Sequence, residues 1–137
     1  MENKKKSIKV SSRKAKGRDL QDLACELVSK AIGIPWDKTD DSEIKPRPMG
    51  QPGPDVILSK RARKLFAFTI ECKNQQTWSI PSWIKQAETN CVKETNWLLI
   101  MKKTSRTKDS RIKPMVVLEP DVFFELIKKG LKCIDTP

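Results

Sequence analysis

Three charged residues of this chain have the types and the spacing of a hydrolytic centre. Asp55 is followed, after fifteen intervening residues, by Glu71, Cys72 and Lys73. In an extended strand successive side chains point to opposite faces, so Glu71 and Lys73 share one face and Cys72 lies on the other. Two carboxylates held close together raise each other's pKa unless a cation lies between them, and Mg²⁺ or Mn²⁺ suits such an oxygen-rich set. Together with Lys73, this set could polarise a phosphodiester and activate water for its hydrolysis.

Other kinds of catalysis are excluded by residues that the chain lacks. It contains no histidine and no tyrosine, so Ser-His-Asp hydrolysis, Cys-His proteolysis and tyrosine-based strand transfer are not available. Its cysteines form no Cys-x-x-Cys pair and have no histidine with which to complete a zinc site. They are Cys25, Cys72, Cys91 and Cys133. We expect reduced, mostly buried thiols, which leaves carboxylates, lysines and a metal for any catalysis.

Two predicted strands position the charged residues. Residues 56–58 predict a short strand, 59–64 a turn, and 65–70 a longer strand that runs into Glu71. We expect these strands to pair as an antiparallel hairpin. Such a hairpin would bring Asp55, at the start of one strand, to Glu71 at the end of the other.

Helices are predicted on both sides of this hairpin. Apolar residues at three- and four-residue spacing predict a first helix from Gly17 to near Gly33; they are Leu20, Leu23, Ala24, Leu27, Val28 and Ala31. Residues 34–54 are rich in proline and predict a long loop. A second helix is predicted from Pro81 to about Glu94, and a closing helix carries the stripe Val122, Phe123, Leu126 and Ile127.

Two further strands complete the predicted α/β fold, at residues 97–101 and 115–118. The order is then helix, strand, strand, helix, strand, strand, helix, which indicates a sheet flanked by helices. A chain of 137 residues has the size of one domain. We expect a flexible basic arm over residues 1–15, because that segment has few large apolar groups, and a single domain over residues 16–137.

Basic residues are in excess and are clustered. The chain has 28 Lys and Arg against 17 Asp and Glu, a formal net charge of +11. The excess is concentrated in residues 4–18, 60–64 and 102–113. Clustered positive charge favours a polyanionic partner, here nucleic acid. The alternative is a basic surface that serves solubility alone.

Membrane binding and export are not expected. The apolar runs are much shorter than the roughly 20 residues of a spanning helix, and the first residues, Met1 to Lys6, lead into further polar sequence without the apolar block of a secretory signal. We therefore expect a cytoplasmic protein.

Four segments together resemble the PD-(D/E)XK nuclease superfamily, and in particular small phage endonucleases similar to Holliday-junction resolvases. The resemblance covers about residues 14–130. It is carried by residues 16–21 (KGRDLQ), 49–55 (MGQPGPD), 68–75 (FTIECKNQ) and 86–88 (QAE). The fold it implies is a restriction-endonuclease-like core of α-β-β-β-α-β type, with a central mixed sheet of four to five strands flanked by helices.

The resemblance also implies roles for the residues of the centre. Asp55 and Glu71 would bind the metal, the backbone carbonyl of Cys72 would add a ligand, and Lys73 would assist attack. The family often supplies a glutamate from the first helix, where this chain has Gln21. By helical rotation Gln21 lies at the edge of the apolar stripe, where it can face the sheet.

Further residues are expected to contact the substrate. Gln86 resembles a glutamine that some relatives place near the scissile phosphate, although a plain surface glutamine is the alternative. The expected nucleic-acid contacts are Lys14, Lys16, Arg18, Arg61, Arg63, Asn74, Gln75, Lys102, Lys103 and Arg106.

The expected function is Mg²⁺-dependent endonucleolytic hydrolysis of DNA, with Mn²⁺ able to substitute and no small-molecule substrate. Branched DNA such as a four-way junction is the expected substrate, in phage-type replication or recombination, and therefore in the host cytoplasm if a phage encodes the chain. One subunit has one site, so cutting both strands of a junction predicts a homodimer. The alternatives are a nuclease or nickase for linear duplex, a non-catalytic DNA-binding module, and a basic protein that binds RNA or a ribosomal surface.

Overall fold

The computed structural model describes residues 10–104 and 113–134. Within these ranges four helices and five strands follow one another, which confirms a mixed α/β chain. In order they are α1 (Val10–Ile32), β1 (Ile44–Pro46), β2 (Val56–Leu58), α2 (Lys60–Leu65), β3 (Phe68–Gln75), α3 (Ile80–Thr89), β4 (Asn96–Lys103), β5 (Met115–Val117) and α4 (Pro120–Ile134).

The described strands form two sheets rather than the single central sheet that the sequence predicted. β1 and β2 pair antiparallel, with Ile44 opposite Leu58. β3, β4 and β5 form a three-stranded mixed sheet in that order. β3 and β4 run parallel, with Glu71 opposite Leu99, and β5 is antiparallel to β4. A restriction-endonuclease-like core stays a prediction.

The predicted antiparallel hairpin between residues 56–58 and 65–70 is wrong. Residues 60–65, predicted as a turn, form α2, whose first turn is capped by Ser59 because its hydroxyl accepts the Ala62 N–H at 3.1 Å. This helix directs the chain away from β2 before β3 begins at Phe68. β2 pairs instead with β1, which lies within the segment that its prolines predicted to be a loop.

Helix α1 begins seven residues before the predicted start at Gly17. Residues 10–16 contain arginine, lysine and alanine, which favour helices, and no proline. The helix ends at Ile32, and the next residue, Gly33, has a φ of +73°, the left-handed conformation that commonly follows a helix C-terminus. The predicted boundary between arm and domain at residue 15 therefore falls inside a helix, and residues 1–9 of the arm lie outside the described residues.

The three-stranded sheet has an apolar layer on each face. On one face Ile70, Leu98 and Ile100 pack with buried residues of α1, namely Leu20, Ala24, Cys25 and Val28. On the other face Leu99 and Met101 pack against Trp83 of α3. The predicted stripe of the first helix is confirmed at Leu20, Ala24 and Val28, whereas Leu27 is half exposed.

The described cysteines are all free thiols, and they differ in exposure: Cys25 is buried, Cys72 and Cys91 are half-buried and Cys133 is exposed. Helix α3 ends at Thr89 rather than near Glu94, because the chain turns through residues 90–95 before β4. In the part of the chain that the structure describes, no helix combines the length and the apolar character needed to span a membrane.

Candidate active site

Asp55 lies against the edge of β3 that faces away from β4. Its N–H donates to the Ile70 carbonyl at 3.0 Å, and its Oδ2 accepts the Cys72 N–H at 2.7 Å. The carboxylate thus occupies the position at which a neighbouring strand would present a carbonyl. Asp55 therefore lies beside the segment that contains Glu71, as expected. Two hydrogen bonds hold it there, and not the predicted hairpin.

The loop before Asp55 is held by Arg47. The Arg47 N–H donates to the Asp55 carbonyl at 2.8 Å, and its Nε donates to the Pro54 carbonyl at 2.6 Å. Gly53 has a φ of +115°, and a Cβ at that position would lie 2.9 Å from the Arg47 Cζ. The positive φ therefore favours glycine here, and the guanidinium crosses the loop through the space that a Cβ would take.

Glu71 and Lys73 share the face of β3 that is turned toward α3, as strand alternation predicts. The Glu71 side chain is buried, and its Oε1 lies 3.4 Å from the Lys73 Nζ. Its other oxygen, Oε2, accepts a hydrogen bond from the Asn90 Nδ2 at 3.3 Å. Cys72 points the opposite way and packs against the core under α1.

Two glutamines complete the set of candidate catalytic residues. Gln21 of α1 is buried, and its Nε2 donates to the Asp55 Oδ1 at 3.1 Å. Gln86 of α3 accepts a hydrogen bond from the Lys73 Nζ at 2.7 Å. All five candidates, from α1, β3, α3 and the segment leading into β2, therefore lie in one connected cluster.

Burial controls the protonation of the two carboxyl groups. It raises the pKa of Asp55, although hydrogen bonds from the Cys72 N–H and the Gln21 amide oppose the shift. Burial also raises the pKa of Glu71, the negative charge of Asp55 raises it further, and Lys73 opposes both effects. Burial thus disfavours the charged form of both carboxyl groups, and the positive charges of Lys73 and, at Asp55, Arg47 offset this effect only in part, because both pKa values stay raised.

Asp55 and Glu71 are the described residues that could hold a divalent cation of the hard type. Among the described residues, no group of three or more carboxylate, thiol or imidazole side chains could hold a metal, so Asp55 and Glu71 would need further oxygen ligands. The N–H and C=O of a strand residue point to the same side, so the Cys72 carbonyl faces the same edge as Asp55. Two carboxylates with a backbone carbonyl and water suit Mg²⁺ or Mn²⁺.

Several predicted nucleic-acid contacts gather at the end of β3 that follows the site. Asn74 and Gln75 lie opposite Lys102 and Lys103 in the parallel ladder. The Asn74 Nδ2 donates to the Lys16 carbonyl at 3.2 Å, which attaches α1 to this end of the sheet. A cavity of about 530 Å³ opens here between Arg13, Lys14, Gln75 and Gln76. We refer to Lys14, Lys16, Lys102 and Lys103 as the basic rim.

Other predicted contacts lie elsewhere. Arg61 and Arg63 are both on α2, and Arg63 lines a cavity with Ala67 and Thr95, the residues that precede β3 and β4. The Arg61 guanidinium pairs with both oxygens of Glu43, at 3.0 Å and 2.5 Å, which holds the pKa of Glu43 down at about 2. Arg18 is exposed on α1, and Arg106 lies outside the described residues.

Two residues of the site were missed by sequence reasoning. Arg47 holds the loop before Asp55, and Asn90, at the C-terminal cap of α3, holds Glu71. Neither belongs to a recognisable motif, because each reaches the site through a tertiary contact. The Pro-Gly content near Arg47 was the one available signal, since it indicates a constrained loop.

Comparisons with known proteins returned no match among family models, curated proteins or solved structures. A functional assignment therefore depends on the chemistry of the cluster itself.

Proposed function

We propose that this chain is a Mg²⁺-dependent endodeoxyribonuclease of the PD-(D/E)XK type, which hydrolyses DNA phosphodiester bonds and prefers branched DNA such as a four-way junction. The observation that carries the proposal is the burial of Glu71 beside Asp55. Removing these carboxylates from water, fully at Glu71 and partly at Asp55, is costly, and the charges of Lys73 and Arg47 offset the cost in part. A divalent cation would offset the remainder and would give the pair a catalytic use.

A divalent cation, when bound to these carboxylates, supplies Lewis acidity toward a phosphate oxygen and makes a water molecule more acidic. The residues of the chain do the positioning. The Cys72 N–H and the Gln21 amide fix the Asp55 carboxylate, and Asn90 fixes that of Glu71. Lys73 is held between Glu71 and Gln86, where its fixed positive charge would stabilise the negative charge that develops on a phosphate in the transition state.

The basic rim supports DNA as the substrate. Its lysines lie beside the end of β3 that carries Lys73 and Asn74, so a backbone bound there would run past the carboxylates. Fixed lysines at phosphates supply affinity that does not depend on sequence. Affinity that does not depend on sequence is what we expect for an enzyme that selects DNA by its shape. Cutting both strands of a junction would require two sites, and we propose a two-fold dimer that acts in the cytoplasm, in phage-type replication or recombination.

The test compares cleavage of a labelled four-way junction, a linear duplex of the same sequence and a supercoiled plasmid, each with Mg²⁺, Mn²⁺ or EDTA. The variants are Asp55→Asn, Glu71→Gln and Lys73→Met. Glu88→Gln is the matched control, because Glu88 is an exposed carboxylate on α3, two residues from Gln86. We expect each site variant to lose at least about 100-fold in cleavage rate, and Glu88→Gln to retain the wild-type rate.

Circular dichroism of each variant separates a lost site from a lost fold. If linear duplex or plasmid is cut as fast as the junction, the chain is a general nuclease or nickase and has no preference for branched DNA. Metal-independent binding of every substrate without cutting would overturn the assignment as an enzyme and leave a basic DNA-binding module. In such a module the Gln21–Asp55 hydrogen bond would have a structural role. Preferential, salt-sensitive binding of RNA without cutting would indicate the RNA-binding alternative.

A further inference from the structure

The cavity of about 530 Å³ at the end of β3 is built by parts of the chain that are distant in sequence. Its volume falls within the roughly 300–1,000 Å³ of pockets that hold small organic molecules. The lining residues are Arg13 and Lys14 of α1, Met49 of the loop before β2, Asn74, Gln75, Gln76 and Thr77 at and after the end of β3, and Thr104 after β4.

Asn74 and Thr104 fix the frame of this cavity. The Asn74 Nδ2 donates to the Lys16 carbonyl at 3.2 Å, and its Oδ1 accepts a hydrogen bond from the Thr104 hydroxyl at 2.7 Å. The Thr104 N–H donates to the Gln75 carbonyl at 3.0 Å. These bonds hold α1 and the end of β4 to the end of β3, so the walls are in place before a ligand binds.

Other side chains of the cavity keep their polar groups available. Within residues 10–104 and 113–134, the side chains of Gln75, Gln76 and Thr77 make no hydrogen bond to the protein. Two carboxamides and a hydroxyl supply both donors and acceptors. The described lining residues include no carboxylate, whereas Arg13 and Lys14 bring two positive charges. The cavity therefore suits a ligand that has polar edges and a negative charge.

A nucleotide has both properties. The edges of DNA bases present donors and acceptors, and a glutamine amide can form two hydrogen bonds with adenine. A phosphate group pairs with arginine or lysine. Met49, which is 45% exposed, is the apolar member of the lining, and its soft thioether makes favourable contacts with an aromatic ring.

The nucleotide that enters the cavity must be unpaired. In a duplex a base is stacked between its neighbours and paired along one edge, so a recessed site takes a base only after that base has left the stack. Gln75 follows Lys73 by two residues, which is about 7 Å along a strand. A nucleotide in the cavity would therefore lie close to a phosphate held at Lys73.

We propose that this cavity receives an unpaired nucleotide of the strand that is cut, next to the scissile phosphate. The Gln75 and Gln76 amides bind the edge of the base, Met49 packs on its ring, and Arg13 or Lys14 binds its phosphate. The inference rests on the proposed function and deepens it, because the feature that distinguishes the substrate from plain duplex is then the unpaired base itself. A single bulged nucleotide should be recognised as well.

The first test measures binding to three duplexes of one sequence in EDTA, which prevents cutting. One duplex is fully paired, one has a single bulged adenine, and one has an abasic site in place of that adenine. We expect the duplex with the bulged adenine to bind about tenfold more tightly than the other two. The abasic duplex is as easily bent but lacks the base, so it separates recognition of the base from bending of the DNA.

A double variant tests the residues. Gln75→Ala with Gln76→Ala should abolish the tenfold preference and leave the affinity for the paired duplex unchanged, which also shows that the variant is folded. Gln51→Ala is the matched control, because Gln51 is an exposed glutamine that lines a different cavity. It should keep the full preference.

Fluorescence tests where the base lies. 2-Aminopurine in place of the bulged adenine emits weakly while it is stacked in DNA and more strongly when it leaves the stack. The described residues that line the cavity include no aromatic side chain that would quench it. We therefore expect the emission to rise when the wild type binds and to stay unchanged with the double variant.

Equal binding of the three duplexes by the wild type would overturn the inference, as would a preference that persists in the double variant or an emission that does not rise. These outcomes are separate from those of the cleavage assay. Selective binding of the bulged adenine without cutting of any substrate would refute the nuclease and keep the cavity as a site for an unpaired nucleotide. Metal-dependent cutting with equal binding of the three duplexes would do the reverse.

Discussion

Gln21 and Gln86 have the same side chain and lie beside opposite charges. Gln21 donates to the Asp55 carboxylate, and Gln86 accepts from the Lys73 ammonium group. Glutamate should therefore destabilise the fold at position 21 and be tolerated at position 86, and this contrast isolates the electrostatics of the site.

Gln21→Glu should lower the free energy of unfolding in EDTA by about 1–3 kcal/mol. It removes a hydrogen-bond donor from Asp55 and adds a third negative charge beside Asp55 and the buried Glu71. Millimolar Mg²⁺ should recover most of the loss, since a cation that binds the native state stabilises it. Thermal melts with and without Mg²⁺ measure both effects.

Gln86→Glu is the control, because its carboxylate would face Lys73. We expect no loss of stability in EDTA. If the two variants respond alike to EDTA and to Mg²⁺, the cluster does not carry the excess of negative charge that we infer from the buried carboxylates.

Among single residues, the sequence predicted the charged side chains of the site but not Asn90 and Arg47, which hold the charged side chains or their loop in place. The alternation of Glu71 and Lys73 on one face follows from strand geometry and needs no tertiary information. Asn90 reaches Glu71 from the end of α3, and Arg47 reaches Pro54 across the loop. Such tertiary contacts depend on how helices, strands and loops are arranged in space, so they cannot be predicted from the residue pattern of one segment.

Among the elements, the loop before β2 fixes the position of Asp55. It passes around the Arg47 guanidinium, and the space for that group exists because residue 53 is glycine. The loop is thus a rigid support for the carboxylate, in spite of its irregular backbone.

Gly53→Ala should destabilise the fold and reduce cleavage, because it adds backbone strain at φ +115° and a contact of 2.9 Å with Arg47. We expect a cost of about 2–4 kcal/mol in chemical denaturation, chiefly from the strain, because the Arg47 guanidinium is the far end of a flexible side chain that can shift. Gly50→Ala is the control, since Gly50 also has a positive φ, +83°, but a Cβ there meets nothing within 4 Å. It should cost about 1 kcal/mol, because a φ of +83° is nearer the left-handed region. Equal costs at both positions would show that neither the larger φ of Gly53 nor its contact with Arg47 adds to the cost.

The elements also show where pattern reasoning fails. Residues 56–58 and 65–70 both resemble strands, and a short basic segment between them predicts a turn. Ser59 instead caps a helix, so the two strands do not form a ladder. Helix α1 was predicted too short for a related reason: the apolar stripe begins at Leu20, whereas the polar residues before it still favour the helix. Apolar periodicity locates the buried part of an element, and its ends depend on capping and propensity.

Over the whole molecule the basic residues fall into separate regions. The basic rim lies beside the end of β3 that carries Lys73, whereas Arg61 is on α2 and is paired with Glu43. Net charge alone does not distinguish these regions, but the salt dependence of DNA binding does.

Lys103→Gln in the basic rim should reduce the slope of log affinity against log salt concentration by about 1, the effect of one lost phosphate contact. Arg61→Gln is the control and should leave the slope unchanged, because Glu43 already neutralises that guanidinium. Titrations of junction DNA over a range of salt concentrations, with EDTA present to prevent cutting, provide the measurement. If Arg61→Gln reduces the salt slope as much as Lys103→Gln does, the DNA-binding surface includes α2 and is not confined to the basic rim.

The attachment of α1 to the site has a consequence for how the chain folds. Gln21 contacts a residue 34 positions later, and Lys16 contacts one 58 positions later. Such contacts form after a large loop has closed, and they contribute to the high contact order that slows folding. We therefore expect the carboxylates to be aligned after the helix has docked on the sheet. Under the proposed function, the appearance of cleavage during refolding should follow the formation of secondary structure.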